Sequence, residues 1–483
     1  MIQVLHIFRK DTRCFRIELG VIGALTAVFA WAHISAIEAQ AADISRPVIL
    51  SFLSSFFLVI GWWFLVTRAI HAEALTGHRQ FWVTRPYLWK QLLAAKVLFV
   101  LAFVNAPLLV AQMAILGAAG YSPMGGFPRL LWMQLALTLV LLVPAFALGA
   151  VTRTLAQVVL APLCGVLGLY FLLSRGGMVS VGFLSTEWLQ STILVLVVCA
   201  GSVFVVLRQY SARRVRIAVL AGLGTLVLGA WLWLNIPPSL YYKAQMWLYG
   251  KPGTEAVSVA IGEPSASVPP EGRGFVNADF PLTFSNIPAN LIAVPEMVQV
   301  RPDAPNASPM WAGYEDPVPP PTGSVAQYPH HVFASSEEYR KLAGKTANMQ
   351  VSIYFSLQNA AFLPLPPDRE TRIPWGGRCT VSTDREAYVV FCTSPFRSAY
   401  DFVRSQREAG PIPAGSTLPG GTMELFSRRQ SPWPAELALS PVFTDGFQCV
   451  IGSTLFLLRE TPRAWAHRDF HLPMHFPQPQ ELR

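Results

Sequence analysis

The stretch VLFVLAFVNAPLLVAQMAILGAA, residues Val97–Ala119, decides the fold because it carries no charged side chain and is long enough to cross a bilayer as a helix. Asn105 and Gln112 are its only strongly polar residues. Six further stretches of about 19 or more mostly apolar residues share this character: Leu19–Ile37, Pro47–Thr67, Leu130–Ala150, Leu155–Leu173, Trp188–Leu207 and Ile217–Ile236. The pattern predicts a polytopic α-helical membrane protein with about seven transmembrane helices.

The second half of the chain, residues 240–483, is polar and contains 30 of the 39 prolines, which disfavour long helices. Its clearest predicted strand is Met349–Gln358, where apolar and polar residues alternate strictly. Further strands are predicted at Phe280–Phe284, Leu291–Val300, Ala387–Cys392 and Cys449–Leu458, and linkers or long loops at 257–274 and 317–323. We expect a β-rich domain here, either a sandwich or an α+β fold.

The formal net charge of +9 is unevenly distributed along the chain. Residues 1–239 contain 17 basic and 6 acidic residues, whereas the remainder contains 20 basic and 22 acidic residues. In the first half, 14 basic residues lie in the N-terminal segment and in every second loop after it. The loops in between contain only Arg46, Arg129 and Arg175. This bias predicts a cytoplasmic N-terminus and, after seven spans, an extracytoplasmic C-terminal domain. Topology and anionic lipid explain the basicity, so it does not indicate a nucleic-acid partner.

The first residues predict a helix that lies in the cytoplasmic interface, since a set of mostly apolar residues recurs at helical spacing: Met1, Leu5, Phe8, Thr12, Phe15 and Leu19. A short frayed tail is the alternative. A cleavable signal peptide is disfavoured because the first apolar run is longer than a signal core and six spans follow. The predicted organisation is an interfacial helix at 1–16, a six-span bundle at 17–210, a seventh span at 211–239 and the soluble domain at 240–483.

The loop at residues 68–96, on the predicted cytoplasmic side, is long and mixed in composition. Gly77 favours the end of one short helix, while Thr84 as N-cap and Pro86 in the first turn favour the start of the next. Phe81 and Trp82 are suited to be buried anchors for a protein partner, with Arg79 and Arg85 as directional contacts. An aromatic belt with snorkelling arginines is the alternative interpretation.

The runs RQFWVTRP at Arg79–Pro86 and LLAAK at Leu92–Lys96 resemble the loop between the second and third spans in membrane subunits of the type-2 ATP-binding-cassette exporter family. The interfacial helix before six spans is also similar to that family, and the resemblance covers roughly residues 1–210. A seventh span and an extracytoplasmic domain of this size are departures from the simple family pattern.

The resemblance implies a permease that forms a homodimer or heterodimer and binds a separate cytoplasmic ATP-binding subunit. It also implies that the segment from Glu73 to Arg85 receives the ATP-driven motion, and that the protein resides in the inner (plasma) membrane of a bacterium. ATP would be bound by the partner subunit, since this chain has no phosphate-binding loop: Gly344-Lys345-Thr346 is the nearest approach, and Tyr339 occupies the place of the required earlier glycine.

The predicted bundle has no well-centred ionisable residue, which favours a lipid-like or amphipathic cargo over ion pumping. Its polar groups, such as Asn105, Gln112 and Gln134, are more typical of interhelical hydrogen bonding than of a pathway. A membrane-anchored receptor or assembly factor, whose outer domain binds a ligand, is the alternative function. No catalytic, cofactor-binding or metal site is predicted: His467, His471 and His475 share a spacing of four, but Pro473 would interrupt the helix they need.

Two cysteines of the soluble domain flank a predicted hairpin. Cys379 and Cys392 lie on two strands joined near Ser382–Arg385, so strand pairing would bring their side chains together in an oxidising compartment. We predict a disulfide between them, with Cys449 free. The alternative is that all three cysteines are buried and unpaired.

Overall fold

The structure is a computed structural model, and it describes residues 2–38, 45–72, 88–152, 154–160, 187–212, 215–236, 238–250, 253–263, 265–267, 275–289, 291–302, 310–312, 325–374, 376–384, 387–396, 401–407, 422–423, 439–450 and 453–476. Within these ranges the first half is helical and the second half is mostly β-structure. The chain therefore combines a helical bundle with a sheet region, the two parts that the sequence predicts.

The bundle consists of long apolar helices. They are α1 (Ile2–Cys14), α2 (Arg16–Glu38), α3 (Ser45–His71), α4 (Trp89–Ala118), α5 (Phe127–Val151), α6 (Glu187–Ala212) and α7 (Val215–Asn235), followed by the short α8 (Pro238–Tyr249). Six of them, α2 to α7, are long and apolar enough to cross a membrane, and each matches a predicted span. The remaining predicted span, Leu155–Leu173, lies largely outside the described residues, which resume at 187.

Two of these helices change their winding directly before a proline. In α4 the π-helical turn Leu101–Asn105 precedes Pro107, and in α5 the π-helical turn Thr138–Leu142 precedes Pro144. Proline lacks an N–H and its ring crowds the carbonyl four residues earlier, so a wider turn keeps the helix continuous. Both helices therefore continue through the bundle with one irregular turn each.

The bundle has two ends, which we call the N-terminal end, where α1 lies, and the sheet end, where the sheet region lies. Side-chain contacts give the relative direction of α5 and α6. Cys199 Sγ lies 3.1 Å from the Leu139 carbonyl oxygen, and the Tyr210 and Phe146 ring centroids are 6.3 Å apart. Later residues of one helix thus contact later residues of the other, so α5 and α6 run parallel.

The last two long helices form an antiparallel pair with close approach. A Cβ atom on Gly201 would overlap the Thr225 side chain, and one on Gly229 would lie 2.9 Å from Leu194 Cδ1. Early residues of α6 therefore contact late residues of α7. Glycine at these positions lets the two backbones come together, as is common between membrane helices.

The sheet region contains two antiparallel sheets. Its strands are β1 (Ser258–Ile261), β2 (Ser265–Ser267), β3 (Phe275–Ser285), β4 (Leu291–Pro302), β5 (Met310–Ala312), β6 (Val325–Ser335), β7 (Thr346–Pro364), β8 (Glu370–Arg372), β9 (Arg378–Asp384), β10 (Ala387–Pro395), β11 (Asp401–Arg407), β12 (Thr422–Met423), β13 (Val442–Val450) and β14 (Ser453–His475), with helix α9 (Ser336–Leu342). The large sheet has the order β1-β3-β6-β5-β4-β7-β14-β11-β12, with β2 beside β3, and the small sheet the order β13-β10-β9-β8.

Most predicted strands are confirmed, and two predictions are wrong. Cys449–Leu458 is not one strand, because β13 ends at Val450 and β14 begins at Ser453. The predicted linker 257–274 contains the short strands β1 and β2, which pair with β3. Such short strands at the edge of a sheet leave little periodicity in the sequence. The other predicted loop, 317–323, lies outside the described residues.

Each sheet has its own apolar core. The large sheet buries one face of β7, including Val351, Ile353 and Phe355, together with residues of β3, β4 and β14. The small sheet packs against Leu455 and Leu457 of β14. The bundle core is separate but includes Val442, the first residue of β13, so one strand of the small sheet reaches the helices.

Candidate functional site

The predicted partner-coupling residues, Glu73, Arg79, Phe81, Trp82 and Arg85, lie outside the described residues. The structure describes the helices on either side of them. Helix α3 ends at His71, whose Nε2 lies 3.2 Å from Thr152 Oγ1 just beyond α5, and α4 begins at Trp89. The described residues on both sides of the segment 73–87 therefore lie at the N-terminal end of the bundle.

Helix α1 lies at this same end and packs its apolar face on α4. The rings of Phe8 and Phe103 are stacked with centroids 5.7 Å apart, and Phe15 meets Phe99 edge-on at 6.1 Å. The predicted helix is confirmed, and so are Phe8 and Phe15 on its packing face. Leu5, however, is exposed. The packing face has shifted toward Ile7, which is buried, because α1 fits its side chains to the grooves of α4.

An ion pair lies at the centre of the contact between α1 and α4. Lys96 Nζ donates a hydrogen bond to Asp11 Oδ2 at 2.7 Å, and both side chains are only 1–2% exposed. The pair is not predicted from the sequence, where Lys96 counts only among the basic residues of the segment 68–96. Asp11 follows Ile7 by four residues, which is the signal that could have placed it on the buried face.

Farther along α4, side-chain amides connect it to α5. Asn105 Nδ2 donates to Gln134 Oε1 at 3.0 Å and lies 2.9 Å from Thr138 Oγ1, while Gln134 Nε2 donates to Gln112 Oε1 at 2.8 Å. Asn105 and Thr138 are the residues at which the two π-helical turns end and begin. We call Asn105, Gln112, Gln134 and Thr138 the amide seam. It confirms the prediction that the amide side chains form interhelical hydrogen bonds.

The seam ends at the sheet region. Gln112 Nε2 donates a hydrogen bond to the Leu439 backbone carbonyl at 2.8 Å, just before β13. Between α4 and α5, the Tyr121 hydroxyl donates to the Thr393 carbonyl at 3.1 Å. Arg129 of α5 lies over the Phe396 ring, 5.2 Å from its centroid. We call this set, Gln112, Tyr121, Arg129, Phe396 and Leu439, the mouth contact.

Local backbone geometry presents Phe396 to the helices. Its φ of 61° is a left-handed conformation that is unusual for a bulky residue, and its N–H donates to the Pro441 carbonyl at 2.7 Å. On the bundle side, a Cβ on Gly126 would lie 2.8 Å from Phe396 Cζ, so glycine makes room for the ring. Burial raises the pKa of the Tyr121 hydroxyl, which keeps it a neutral donor.

A second junction joins α8 to the sheet region and consists mainly of aromatic rings. Tyr242 stacks on Tyr354 of β7 with centroids 4.5 Å apart, and both Tyr241 and Tyr242 contact Trp465 of β14. Trp465 is completely buried, and its backbone N–H donates to the Gly250 carbonyl at 3.1 Å. We call Tyr241, Tyr242, Met297, Tyr354 and Trp465 the aromatic junction. Burial also raises the pKa of Tyr354.

The small sheet is braced next to the mouth contact. Cys379 of β9 and Cys392 of β10 are direct cross-strand partners with Cα atoms 4.1 Å apart, and the structure joins them in a disulfide. Cys392 immediately precedes Thr393, the acceptor for Tyr121. The predicted hairpin register is thus present. The side chain of Cys449, predicted to be free, lies outside the described residues.

The three histidines with a spacing of four lie on a strand. His467, His471 and His475 belong to the part of β14 that pairs with β7, so successive histidine Cα atoms are about 13 Å apart, whereas a shared metal would need all three on one helix face. Among the described residues, no group of three or more His, Cys, Asp or Glu side chains is placed to hold a metal.

Among the described residues, the fold combines six helices that are long and apolar enough to cross a membrane with an attached antiparallel sheet region. No protein-family model, curated protein or solved structure matches the chain.

Proposed function

We propose that the protein is the membrane subunit of an ATP-driven exporter, which couples a separate cytoplasmic ATPase to the movement of a lipid-like or amphipathic cargo. The observation that carries this proposal is the path of helix α4. It begins directly after the segment 73–87, contacts α1 through Lys96 and reaches the sheet region through Gln112. One continuous helix thus connects the proposed site of ATPase docking with the opposite end of the bundle.

The contacts of α4 suit it to transmit a displacement. At the N-terminal end its buried ion pair fixes it to α1, so the two helices would move together. At the sheet end it is bonded to both α5 and the sheet region through the amide seam. Packed helices are stiff elements, so a push on segment 73–87 would reach the mouth contact.

The proposed topology has seven spans with the sheet region on the extracytoplasmic side. Since α5 and α6 run parallel, the chain between residues 151 and 187 has to return from the N-terminal end to the sheet end, which supports the predicted span Leu155–Leu173. Exposed Arg9, Lys10 and Arg13 at the N-terminal end favour a cytoplasmic placement of that end. On this proposal the protein resides in the bacterial inner membrane and pairs with another permease subunit.

The chemistry of the bundle interior favours an uncharged or amphipathic cargo. The polar groups of the amide seam are amides and hydroxyls, and in the ionisable pair Asp11–Lys96 the two opposite charges are joined by a short hydrogen bond. Moving an ion would require charged or strongly coordinating groups along the path. A cargo with apolar chains would need none.

The proposal is tested by changing the loop without touching the bundle. Replacing Glu73 by alanine, or Phe81, Trp82 and Arg85 together by alanine, should abolish stimulation of the partner's ATP hydrolysis, because such anchors typically contribute on the order of 2 kcal/mol or more each to an interface. Coupled hydrolysis and co-purification of the ATPase subunit are measured with reconstituted protein. The matched control truncates the exposed span residues Phe52, Phe56 and Phe57, which should leave coupling unchanged.

Two results would count against the exporter. Undiminished co-purification and hydrolysis with the loop variants would remove the proposed docking site. Failure to find any ATPase subunit bound to the wild-type protein would favour the receptor or assembly-factor function instead.

The ion pair provides a separate test of the link between α1 and α4. Asp11→Ala leaves the Lys96 ammonium buried without its carboxylate, and removing one partner of a buried pair costs about 3–5 kcal/mol. The double variant Asp11→Leu, Lys96→Met replaces the pair by apolar groups and should recover most of that stability. The free energy of unfolding is measured by denaturant titration in detergent. Equal stability of Asp11→Ala and the wild type would show that the pair does not hold α1 in place.

A further inference from the structure

Helix α8 has two faces, and within the part of the chain that the structure describes one of them packs against other elements while the other is exposed. Tyr241, Tyr242 and Gln245 are buried against the sheet region. The opposite face exposes Trp247, which is 83% exposed, together with Leu240 and Lys243, while Leu248 is exposed at the flank of the buried face. A tryptophan and a leucine displayed on one side of a 12-residue helix form an apolar surface that water would disfavour.

The position of α8 in the chain indicates what covers this surface. Helix α7, a candidate membrane span, ends at Asn235, and α8 begins at Pro238. In addition, Leu189 of α6 packs against the aromatic junction and lies three residues before the candidate span Thr192–Ala212. The ends of two spans thus meet α8, which places the helix at the level of the membrane boundary.

The side chains of the exposed face have the chemistry of a membrane interface. Tryptophan is enriched where apolar chains meet head groups, since its ring is apolar and its N–H is polar. Lys243 is exposed on α8, between Leu240 and Trp247 in the sequence, and its ammonium suits a lipid phosphate. Leu240 beside it would reach the upper acyl chains.

We propose that the exposed face of α8, formed by Leu240, Lys243 and Trp247, binds the phospholipid interface of the leaflet at the sheet end of the bundle. The helix lies between lipid on one side and the aromatic junction on the other. Lipid contact therefore sets the height of the sheet region above the membrane, and with it the spacing at the mouth contact. This inference needs the membrane placement of α6 and α7 but no ATPase.

The test measures the depth of Trp247 in bilayers. Full-length protein is reconstituted into phosphatidylcholine vesicles that carry bromine either at shallow or at deep acyl positions, and the Trp247 emission is obtained as the difference between the wild type and Trp247→Phe. We expect this component to be quenched by shallow bromines more than by deep ones, and to be shielded from aqueous acrylamide. Trp31→Phe is the control, since Trp31 is exposed within the span of α2 and should report a lipid-facing ring.

Two outcomes would overturn the proposal. Quenching of the Trp247 component by acrylamide but by neither brominated lipid would place the face in water. Shielding from all three quenchers, together with a dimer that Trp247→Phe dissociates, would assign the face to a second copy of the chain. Because the phenylalanine variant keeps an apolar ring at an exposed site, it should fold normally. Neither outcome bears on ATPase coupling, so failure here is distinguishable from failure of the exporter proposal.

Discussion

The aromatic junction and the mouth contact both join the bundle to the sheet region, but they differ in kind. The aromatic junction buries Trp465, Tyr241 and Tyr242 completely or nearly so. Rings of this size each bury about 150–250 Å². The mouth contact instead depends on hydrogen bonds from Gln112 and Tyr121 to backbone carbonyls and on the partly buried Phe396 and Leu439, with the small Val442 side chain also buried in the bundle core.

This difference indicates which junction is permanent. Separating the aromatic rings would expose a large apolar surface, whereas the hydrogen bonds of the mouth contact can be exchanged for water at a net cost of about 1 kcal/mol each. We therefore expect the aromatic junction to hold the sheet region firmly to α8, and the mouth contact to hold it less firmly to α4 and α5. If the bundle changes shape, we expect the mouth contact to open first.

The largest effect is expected from breaking the aromatic junction. Trp465→Ala removes a fully buried ring, and such truncations cost about 3–5 kcal/mol because of lost burial and the cavity left behind. The free energy of unfolding of the sheet region is measured in detergent. Trp247→Ala is the matched control, since the same ring is 83% exposed there. Similar losses for the two variants would contradict the assignment of Trp465 as the anchor.

The disulfide is the next test, because it braces the strand that carries the mouth contact. Cys379 and Cys392 are separated by 13 residues, and replacing both by serine should cost about 3 kcal/mol through the greater freedom of the unfolded chain. Thermal unfolding is compared with and without reductant, and the double variant should not respond to reductant. Non-reducing peptide mapping that finds both thiols free in protein from its native membrane would refute the disulfide.

The mouth contact is tested by filling the space under Phe396. Gly126→Ala places a Cβ 2.8 Å from Phe396 Cζ, so the ring must move, at a cost of about 1–3 kcal/mol. Hydrogen exchange in residues 387–396 and 439–450 should become faster while the core of β7 stays protected. Gly125→Ala is the control, because its Cβ would lie 3.6 Å from Ser122 Oγ, an ordinary contact. Equal exchange in the two variants would count against the contact.

The smallest effect is expected for Tyr121→Phe, which removes one hydrogen bond to the Thr393 carbonyl and should cost about 0.5–1.5 kcal/mol. Burial raises the pKa of Tyr121, so this stability is fully present below the unfolded pKa of about 10 and is lost as pH rises through the folded pKa. The difference in Tm between variant and wild type should therefore shrink above pH 10. A difference that persists there would show that the hydroxyl is not the source.

Much of the fold follows from sequence periodicity, but the two junctions do not. The spans are predictable because an apolar run continues over many residues, and β7 because apolar and polar residues alternate over many residues. Asp11 and Lys96 are 85 residues apart, so no local pattern pairs them. Phe396 and Leu439 lie next to strand ends, where single residues form the mouth contact. A single residue leaves no periodic pattern in the sequence from which the contact could be predicted. Trp465 lies in a clearly extended strand, yet its anchoring role depends on α8 arriving from elsewhere in the chain.

The amide seam also has a consequence for how the chain enters the membrane during synthesis. Inserted alone, α4 would carry Asn105 and Gln112 into hydrocarbon without partners, and an unpaired amide there costs at least about 1–3 kcal/mol. Once α5 supplies Gln134, the Asn105 amide nitrogen and the Gln112 amide oxygen both gain hydrogen-bond partners. We therefore expect residues 89–151 to leave the translocon as one helical hairpin, so that α4 inserts poorly in a glycosylation-reporter assay unless α5 follows it.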